Sequence, residues 1–233
     1  MIDFMSYADE FKEMFTDTWL TPRGVTFSEG FAITSLMKHY DVDIMIESGV
    51  AYGGSLEMIA KCRPENIVIG IDTFKAYSDS LEYAKKRLHN YGNVRIVVGD
   101  SLKVLPAILN EASKDLNFGI FIDGPKGDLA VDFGHYLYDN DPRIKFMCIH
   151  DIWHDTPQAT LCRKDFDNVI FTDEPDGVFA EARNEIDSHM LKINKELCSP
   201  SKSSLNPEEG LGYFQTTMEE YPYGFGMAMI ERP

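Results

Sequence analysis

The chain has 233 residues, and its 22 basic and 38 acidic side chains leave a formal net charge of −16 at pH 7. The length suits one domain, and a hydrophobic content of 44% excludes a chain that is disordered throughout. The net charge argues against a duplex-binding surface and against docking on anionic membranes. We therefore expect neither nucleic acid nor a membrane among the partners.

Cysteine usage and the N-terminal residues both favour the cytoplasm. The four cysteines form no CxxC pair, which argues against a zinc ribbon, and their scattered positions are atypical of a disulfide framework. The N-terminus carries acidic residues where a secretory signal has positive charge, and no apolar run approaches the ~20 residues that span a bilayer. We expect a cytoplasmic protein, and the sequence leaves open whether it forms a homo-oligomer.

The first 40 residues predict an N-terminal helical cap. Apolar residues between Phe4 and Phe15 recur at helical spacing, residues 22–24 (Pro-Arg-Gly) interrupt the pattern, and a second amphipathic stretch runs from Ser28 to about Tyr40. Aromatic residues of this cap and of residues 173–223 either cover a binding site or belong to the core or an oligomer contact; they are Tyr7, Phe11, Tyr213, Phe214, Tyr221 and Tyr223.

Short apolar runs then alternate with helical segments. The predicted strands are residues 43–47, 66–72, 94–98, 118–123 and 145–151, and the predicted helices are residues 56–61, 78–90, 102–111 and about fifteen residues after 123. Continuous apolar strands separated by helices are typical of a parallel sheet covered on both faces. Residues 168–172 and 224–232 predict two further strands, and the polar, irregular residues 173–223 predict an insertion that serves binding. We expect one domain over residues 1–233.

A glycine-rich turn, residues 47–55 (ESGVAYGGS), follows the first strand directly. The dinucleotide fingerprint GxGxxG is broken by Ala51, and the P-loop pattern GxxxxGK[ST] fails because Ser55 stands where lysine is required. The remaining pattern is an acid followed by two spaced glycines, which are Glu47, Gly49 and Gly53.

Four further markers recur at strand ends: Asp72 after the second strand, residues 99–101 (Gly-Asp-Ser) after the third, Asp123 after the fourth, and the pair His150-Asp151 after the fifth. On these residues the chain resembles the class I S-adenosylmethionine-dependent methyltransferases, and within them the small-molecule O-methyltransferases of the catechol type. The resemblance implies a Rossmann-like α/β fold: a doubly wound, seven-stranded, mostly parallel sheet. Residues 224–232 (GFGMAMIER) match the antiparallel last strand of that fold.

The resemblance implies S-adenosylmethionine as cofactor, bound by Glu47, Gly49, Gly53, Ser55, Asp72, Asp100 and Ser101. This cofactor has no phosphates, so no phosphate-binding lysine is needed, and its ribose diol suits a carboxylate such as Asp72. The turn amides and Glu47 suit its methionine end. Structural alternatives stay open: Glu47 as a solvated strand end, Asp72 as a helix N-cap, and Asp100 as an N-cap before Leu102.

The candidate chemistry lies after the fourth and fifth strands. The resemblance implies Asp123 as a metal ligand and Lys126 as the base that accepts the hydroxyl proton, although residues 123–127 also have the composition of a surface turn. His150-Asp151 departs from the Asp-Asn or Glu-Asp pair of the family's metal-dependent members. Either Asp123, His150 and Asp151 hold a divalent ion, Mg²⁺ or Mn²⁺, or His150 or His154 is itself the base.

These observations predict a methyltransferase that uses S-adenosylmethionine and acts on a small-molecule acceptor. We expect the accepting group to be a hydroxyl of a sugar or natural product, with metal assistance as one version. Two rival functions stay open. One is an NAD-dependent Rossmann oxidoreductase, which the broken glycine fingerprint disfavours. The other is a methyltransferase-like domain that binds a partner and has lost catalysis.

Overall fold

The computed structural model describes residues 2–16, 25–193 and 226–232. Across these ranges seven strands form one sheet, in the order β3-β2-β1-β4-β5-β7-β6. The strands are β1 (Ile44–Ser48), β2 (Ile67–Asp72), β3 (Val94–Val98), β4 (Phe118–Ile122), β5 (Ile144–His150), β6 (Val169–Phe171) and β7 (Met227–Glu231). The helices are α1 (Met5–Met14), α2 (Phe27–His39), α3 (Gly54–Cys62), α4 (Ser80–Leu88), α5 (Ser101–Glu111), α6 (Asp128–Asn140), α7 (Pro157–Asp165) and α8 (Ala180–Ile193).

The sheet is parallel from β3 through β5, and β7 runs antiparallel between β5 and β6. The predicted doubly wound, mostly parallel sheet with an antiparallel last strand is confirmed. Because strand side chains alternate between faces, Met45 packs into one apolar cluster with α1, α2, α3, α4 and α8, whereas Ile44 and Ile46 pack into a second with α5, α6 and α7. Both faces of the sheet are therefore covered.

Two helices were not predicted from the sequence. The prediction of irregular structure throughout residues 173–223 is wrong at α8, which buries Ala182, Ile186 and Met190 at helical spacing on an otherwise polar helix. The other missed helix is α7, which Thr156 caps by accepting a hydrogen bond from the Ala159 N–H (3.3 Å). Residues 194–225, with the last four aromatic residues named above, lie outside the described residues.

The N-terminal cap is part of the core. The helix α2 is buried from Phe27 to Met37, packs against α8 and contacts α3 and β4. Phe11 of α1 is buried in the same cluster, which favours the core interpretation for this aromatic residue. Cys62, Cys148 and Cys162 are buried free thiols. No helix within the described ranges is both long and apolar enough to cross a bilayer.

The topology determines where a ligand would bind. The strand order reverses between β1 and β4, and in open α/β sheets ligands bind at the carboxyl ends of the strands beside such a switch point. The glycine turn leaves β1 here, and the Asp123 and Gly124 N–H groups after β4 donate to the Ser48 carbonyl (2.7 and 2.8 Å). The two predicted parts of the site thus share one backbone junction.

Candidate active site

Gly49 and Gly53, the two spaced glycines of the turn, satisfy different packing requirements. Gly49 has φ +93°, and a Cβ there would lie 2.7 Å from the Gly124 backbone nitrogen. Gly53 has φ +78°, and a Cβ there would lie 3.1 Å from Leu88 Cδ1 of α4. Positive φ values favour glycine at both positions, and only Gly49 is pressed against backbone atoms. The turn is therefore held against the end of β4.

Glu47 is wholly buried below the turn. Its Oε1 accepts a hydrogen bond from the Ser55 hydroxyl, and its Oε2 has no hydrogen-bond partner among the described residues. Burial raises the pKa of Glu47 well above its ordinary value, and the charges of Asp123 and Asp72 add to this effect, which the Ser55 hydrogen bond only partly offsets. The alternative of a solvated strand end is wrong, because a solvated carboxyl would be exposed. Burial therefore favours the neutral form of Glu47.

Asp72 lies against the glycine turn. Its Oδ2 accepts hydrogen bonds from the Val50 and Ala51 N–H groups (2.9 Å each), and its Oδ1 accepts one from the Phe74 N–H (2.7 Å). The helix N-cap alternative is wrong, because α4 begins only at Ser80. A carboxylate oxygen has a second acceptor site, so Asp72 keeps capacity for the hydroxyls of a ribose.

Asp100 and Ser101 begin α5. Asp100 caps the helix by accepting a hydrogen bond from the Leu102 N–H (3.1 Å), which is the structural alternative anticipated for it. The Ser101 hydroxyl donates to the Gly124 carbonyl (3.4 Å) and so reaches the loop after β4. Cofactor binding by Asp100 and Ser101 stays a prediction.

Four ionisable side chains lie together after β4 and β5. Asp123 Oδ1 lies 2.7 Å from His150 Nδ1, and His150 Nδ1 lies 3.4 Å from Asp151 Oδ1. The Lys126 ammonium donates to Asp123 and lies 2.5 Å from Asp151 Oδ2. We call Asp123, Lys126, His150 and Asp151 the acid cluster. The pairing of β4 with β5 accounts for it, since both strands end at the same edge of the sheet.

Opposite charges stabilise the ionised forms within the acid cluster. Burial raises the pKa of Asp123, but the charges and hydrogen bonds of His150 and Lys126 outweigh burial and lower it. Burial lowers the pKa of Lys126, but Asp123 and Asp151 outweigh this and raise it. In this state Lys126 is an ammonium ion that bridges two carboxylates.

His154 makes a separate contact. Its Nδ1 lies 2.8 Å from Asp173 Oδ2, and its backbone N–H donates to the same carboxylate (3.1 Å). Asp173 follows β6 and is buried. This pairing holds the loop after β5 in place. A role for His154 as a base stays a prediction.

The sequence did not point to Glu29 as part of the site. This residue of α2 is buried, and its Oε2 lies 3.5 Å from His150 Nε2. A helix-start signal was readable, because Thr26 and Glu29 form a capping box. The proximity of Glu29 to His150 could not be predicted from the sequence, because only the tertiary structure brings α2 beside the end of β5.

The acid cluster has a donor set that fits a divalent ion. One ligand atom from each of Asp123, His150 and Asp151 lies within 4.8 Å of the other two. His150 Nδ1 is the ring nitrogen that faces the two carboxylates, and mixed nitrogen and oxygen ligands suit Mn²⁺ better than Mg²⁺. Lys126 contacts both carboxylates, so the side chain would have to move away for an ion to bind.

Comparisons with known proteins agree with the sequence markers. Residues 41–121 match a family model described as "Putative methyltransferase". The chain is 25% identical over 185 residues to the tapetum-specific methyltransferase 1 of Arabidopsis thaliana, a match that covers 78% of this chain and 69% of that relative.

Two solved structures are also similar to this chain. The O-methyltransferase TomG of Streptomyces achromogenes, in complex with S-adenosylmethionine, has a TM-score of 0.48 and 13% identity. The match covers 100% of this chain and 91% of the TomG chain. The TDP-rhamnose 3′-O-methyltransferase CalS11 has a TM-score of 0.45 and 19% identity. That match covers 59% of this chain and 69% of the CalS11 chain. The strand-end markers, the family match and the plant relative thus agree that the chain resembles the class I S-adenosylmethionine-dependent methyltransferases, and within them the small-molecule O-methyltransferases.

Proposed function

We propose that the protein transfers the methyl group of S-adenosylmethionine to a hydroxyl of a small molecule, such as a sugar or a natural product. The observation that supports this most strongly is the junction between the glycine turn and the acid cluster, where Ser48 accepts hydrogen bonds from the Asp123 and Gly124 N–H groups. A methyl donor in the turn would lie beside side chains that can bind a hydroxyl and take up its proton.

The residues that bind the cofactor have to align the reacting groups, and they do not have to activate the methyl group. The methyl group is carried on a sulfonium, which is a good leaving group, so the protein has to align acceptor, methyl and sulfur and exclude water. We assign the ribose hydroxyls to Asp72 and the methionine end to the turn amides and Glu47. Burial favours the neutral form of Glu47, and a protonated carboxyl can both donate and accept a hydrogen bond there.

In this proposal the acid cluster removes the proton from the acceptor hydroxyl. Asp151 has a side chain 34% exposed and Lys126 one 49% exposed, so both are accessible to an acceptor. The two carboxylates hold Lys126 as a cation, so Lys126 can take up the acceptor proton only after it has released a proton of its own to solvent. His150 is the less suitable base, since its two ring nitrogens face carboxylates of Asp123 and Glu29.

Metal assistance is part of the proposal. A divalent ion held by Asp123, His150 and Asp151 would polarise the acceptor hydroxyl and make its proton easier to remove. Asp123 and Asp151 would also orient the acceptor, and Lys126 would remain the group that takes up the proton. A metal-free version, in which these side chains act alone, differs in its response to chelation.

The first test measures cofactor binding by calorimetry with S-adenosylmethionine, S-adenosylhomocysteine and NADH. We expect the first two to bind and NADH not to bind. Asp72→Ala should weaken binding by about 1–3 kcal/mol, the scale for losing hydrogen bonds to a charged group. The exposed Asp132→Ala, on α6, is the matched control and should bind like the wild type. Absence of binding by the wild type would show the proposal to be wrong.

The second test follows transfer of a labelled methyl group to a panel of sugar and phenolic hydroxyls. Asp123→Ala and Asp151→Ala should each lower the rate about 100-fold or more and leave cofactor affinity nearly unchanged, because their contacts matter chiefly in the transition state. EDTA should abolish transfer and Mn²⁺ should restore it. Transfer that is indifferent to EDTA but sensitive to both substitutions would support the metal-free version.

A further inference from the structure

His150 lies between two carboxylates that come from distant parts of the chain. Its Nδ1 lies 2.7 Å from Asp123 Oδ1, after β4, and its Nε2 lies 3.5 Å from Glu29 Oε2, on α2. The His150 side chain is only 7% exposed, and that of Glu29 only 1%. The ring therefore has a carboxylate at each nitrogen and is largely shielded from solvent.

Glu29 is itself held in place. Its Oε2 accepts hydrogen bonds from the Thr26 N–H (2.8 Å) and the Thr26 hydroxyl (2.9 Å). The neighbouring Ser28 hydroxyl donates to Asp187 of α8 (3.2 Å), which anchors the first turn of α2 against α8. The oxygen that faces His150 is thus attached to a rigid helix start rather than to a mobile side chain.

We propose that Glu29 is a positioning residue of the active site, which orients the His150 ring and through it the Asp123 carboxylate. This inference rests on the proposed methyl transfer at the acid cluster. It extends the active site to the N-terminal helical cap, which lies before the residues 41–121 that match the methyltransferase family model. Orientation of a histidine by a carboxylate on its second nitrogen is a general device that fixes both tautomer and ring plane.

A purely structural role for Glu29 can be separated from a positioning role. A capping box works with glutamate or glutamine at its fourth residue, since either side chain accepts from the backbone N–H of the cap. Glu29→Gln therefore keeps the helix start and removes only the negative charge that faces His150. If Glu29 serves the cap alone, this substitution changes little.

Glu231 provides the matched control. It is also a buried glutamate, one of its oxygens has no hydrogen-bond partner within the described ranges, and the other accepts from the Tyr40 hydroxyl (3.1 Å). It pairs with Phe146 near the start of β5, whereas His150 ends that strand. Glu231→Gln removes a comparable buried charge far from the acid cluster.

The experiment compares Glu29→Gln, Glu29→Asp and Glu231→Gln with the wild type. Ring resonances of His150 are recorded by NMR on histidine-labelled protein and assigned by their loss in His150→Gln. Transfer is measured with an acceptor that the wild type methylates. We expect Glu29→Gln to shift the His150 resonances, to lower kcat about 10–100-fold, and to leave the cofactor Kd and Tm close to wild type. Glu231→Gln should leave the resonances and kcat unchanged, and Glu29→Asp should recover part of kcat.

Wild-type resonances and kcat in Glu29→Gln would overturn the inference and leave Glu29 as a capping residue. An equal loss of kcat in Glu231→Gln would overturn it as well, because the effect would then follow from any buried charge. If the wild type methylates no acceptor, the proposed function fails on that result, and the His150 resonances alone decide whether Glu29 holds the ring.

Discussion

Asp187 of α8 shows how burial changes a single carboxyl group. Burial raises the pKa of Asp187 to about 7, the Ser28 hydrogen bond and Arg183 lower it, and the charge of Glu29 raises it. The ordinary value is 3.8, so between these values the folded protein binds a proton that the unfolded chain has released. The contribution of Asp187 to stability is therefore unfavourable at neutral pH and becomes more so as the pH rises from about 4 to about 7.

We expect Asp187→Asn to stabilise the protein at pH 8, because an amide cannot ionise and can still accept from Ser28. The gain should not exceed about 4 kcal/mol, which is the free energy equivalent of the pKa difference. It should shrink as the pH falls towards 4, where wild-type Asp187 is protonated in both states. Thermal unfolding of both proteins from pH 4 to 8 checks this, and a difference that does not vary with pH would contradict it.

At the scale of elements, the contact between the β1 turn and the end of β4 decides whether the site forms. A Cβ on Gly49 would lie 2.7 Å from the Gly124 nitrogen and 2.9 Å from the Asp123 carbonyl carbon, both backbone atoms. Gly127, in the loop before α6, also has a positive φ (+63°), but apart from its chain neighbours no heavy atom of the part of the chain that the structure describes lies within 4 Å of its Cβ position. A comparison of alanine substitutions at Gly49 and Gly127 therefore separates the effect of close packing from the effect of a positive φ.

We expect Gly49→Ala to displace the end of β4 and to abolish binding of S-adenosylhomocysteine. Its free energy of unfolding should fall by more than that of Gly127→Ala, in which backbone strain alone costs about 1–3 kcal/mol. Calorimetric binding and denaturant unfolding of both variants give the comparison. Equal losses of stability in the two variants, with ligand binding retained, would show that the turn and β4 are not tightly coupled.

At the scale of the whole molecule, the charge is strongly negative, at −16 with a sequence pI of about 4.7. Affinity for duplexes depends on clustered lysine and arginine that neutralise phosphates. We expect no binding of duplex DNA or RNA at physiological salt. A gel shift at micromolar protein that weakens as salt is added would contradict this prediction.

The sequence predicted the strands of the sheet more accurately than the helices α7 and α8. Buried parallel strands are continuous apolar runs, so β1, β2, β4 and β5 were recognisable to within a residue or two. The helix α8 contributes only a narrow apolar face to the core and carries charged residues elsewhere, so its segment resembled a polar loop.

The order of elements, the glycine turn and the acidic strand ends were determined by the sequence itself, because each depends on residues close together in the chain. Parallel strands end at one edge of a sheet, so Asp123 and Asp151 could be predicted to converge. Only the tertiary structure decided which groups lie around them, including Lys126 between two carboxylates and Glu29 beside His150. Charge interactions depend on distance through space and on burial, and contacts such as that between Ser28 and Asp187 join helices with no local pattern in common.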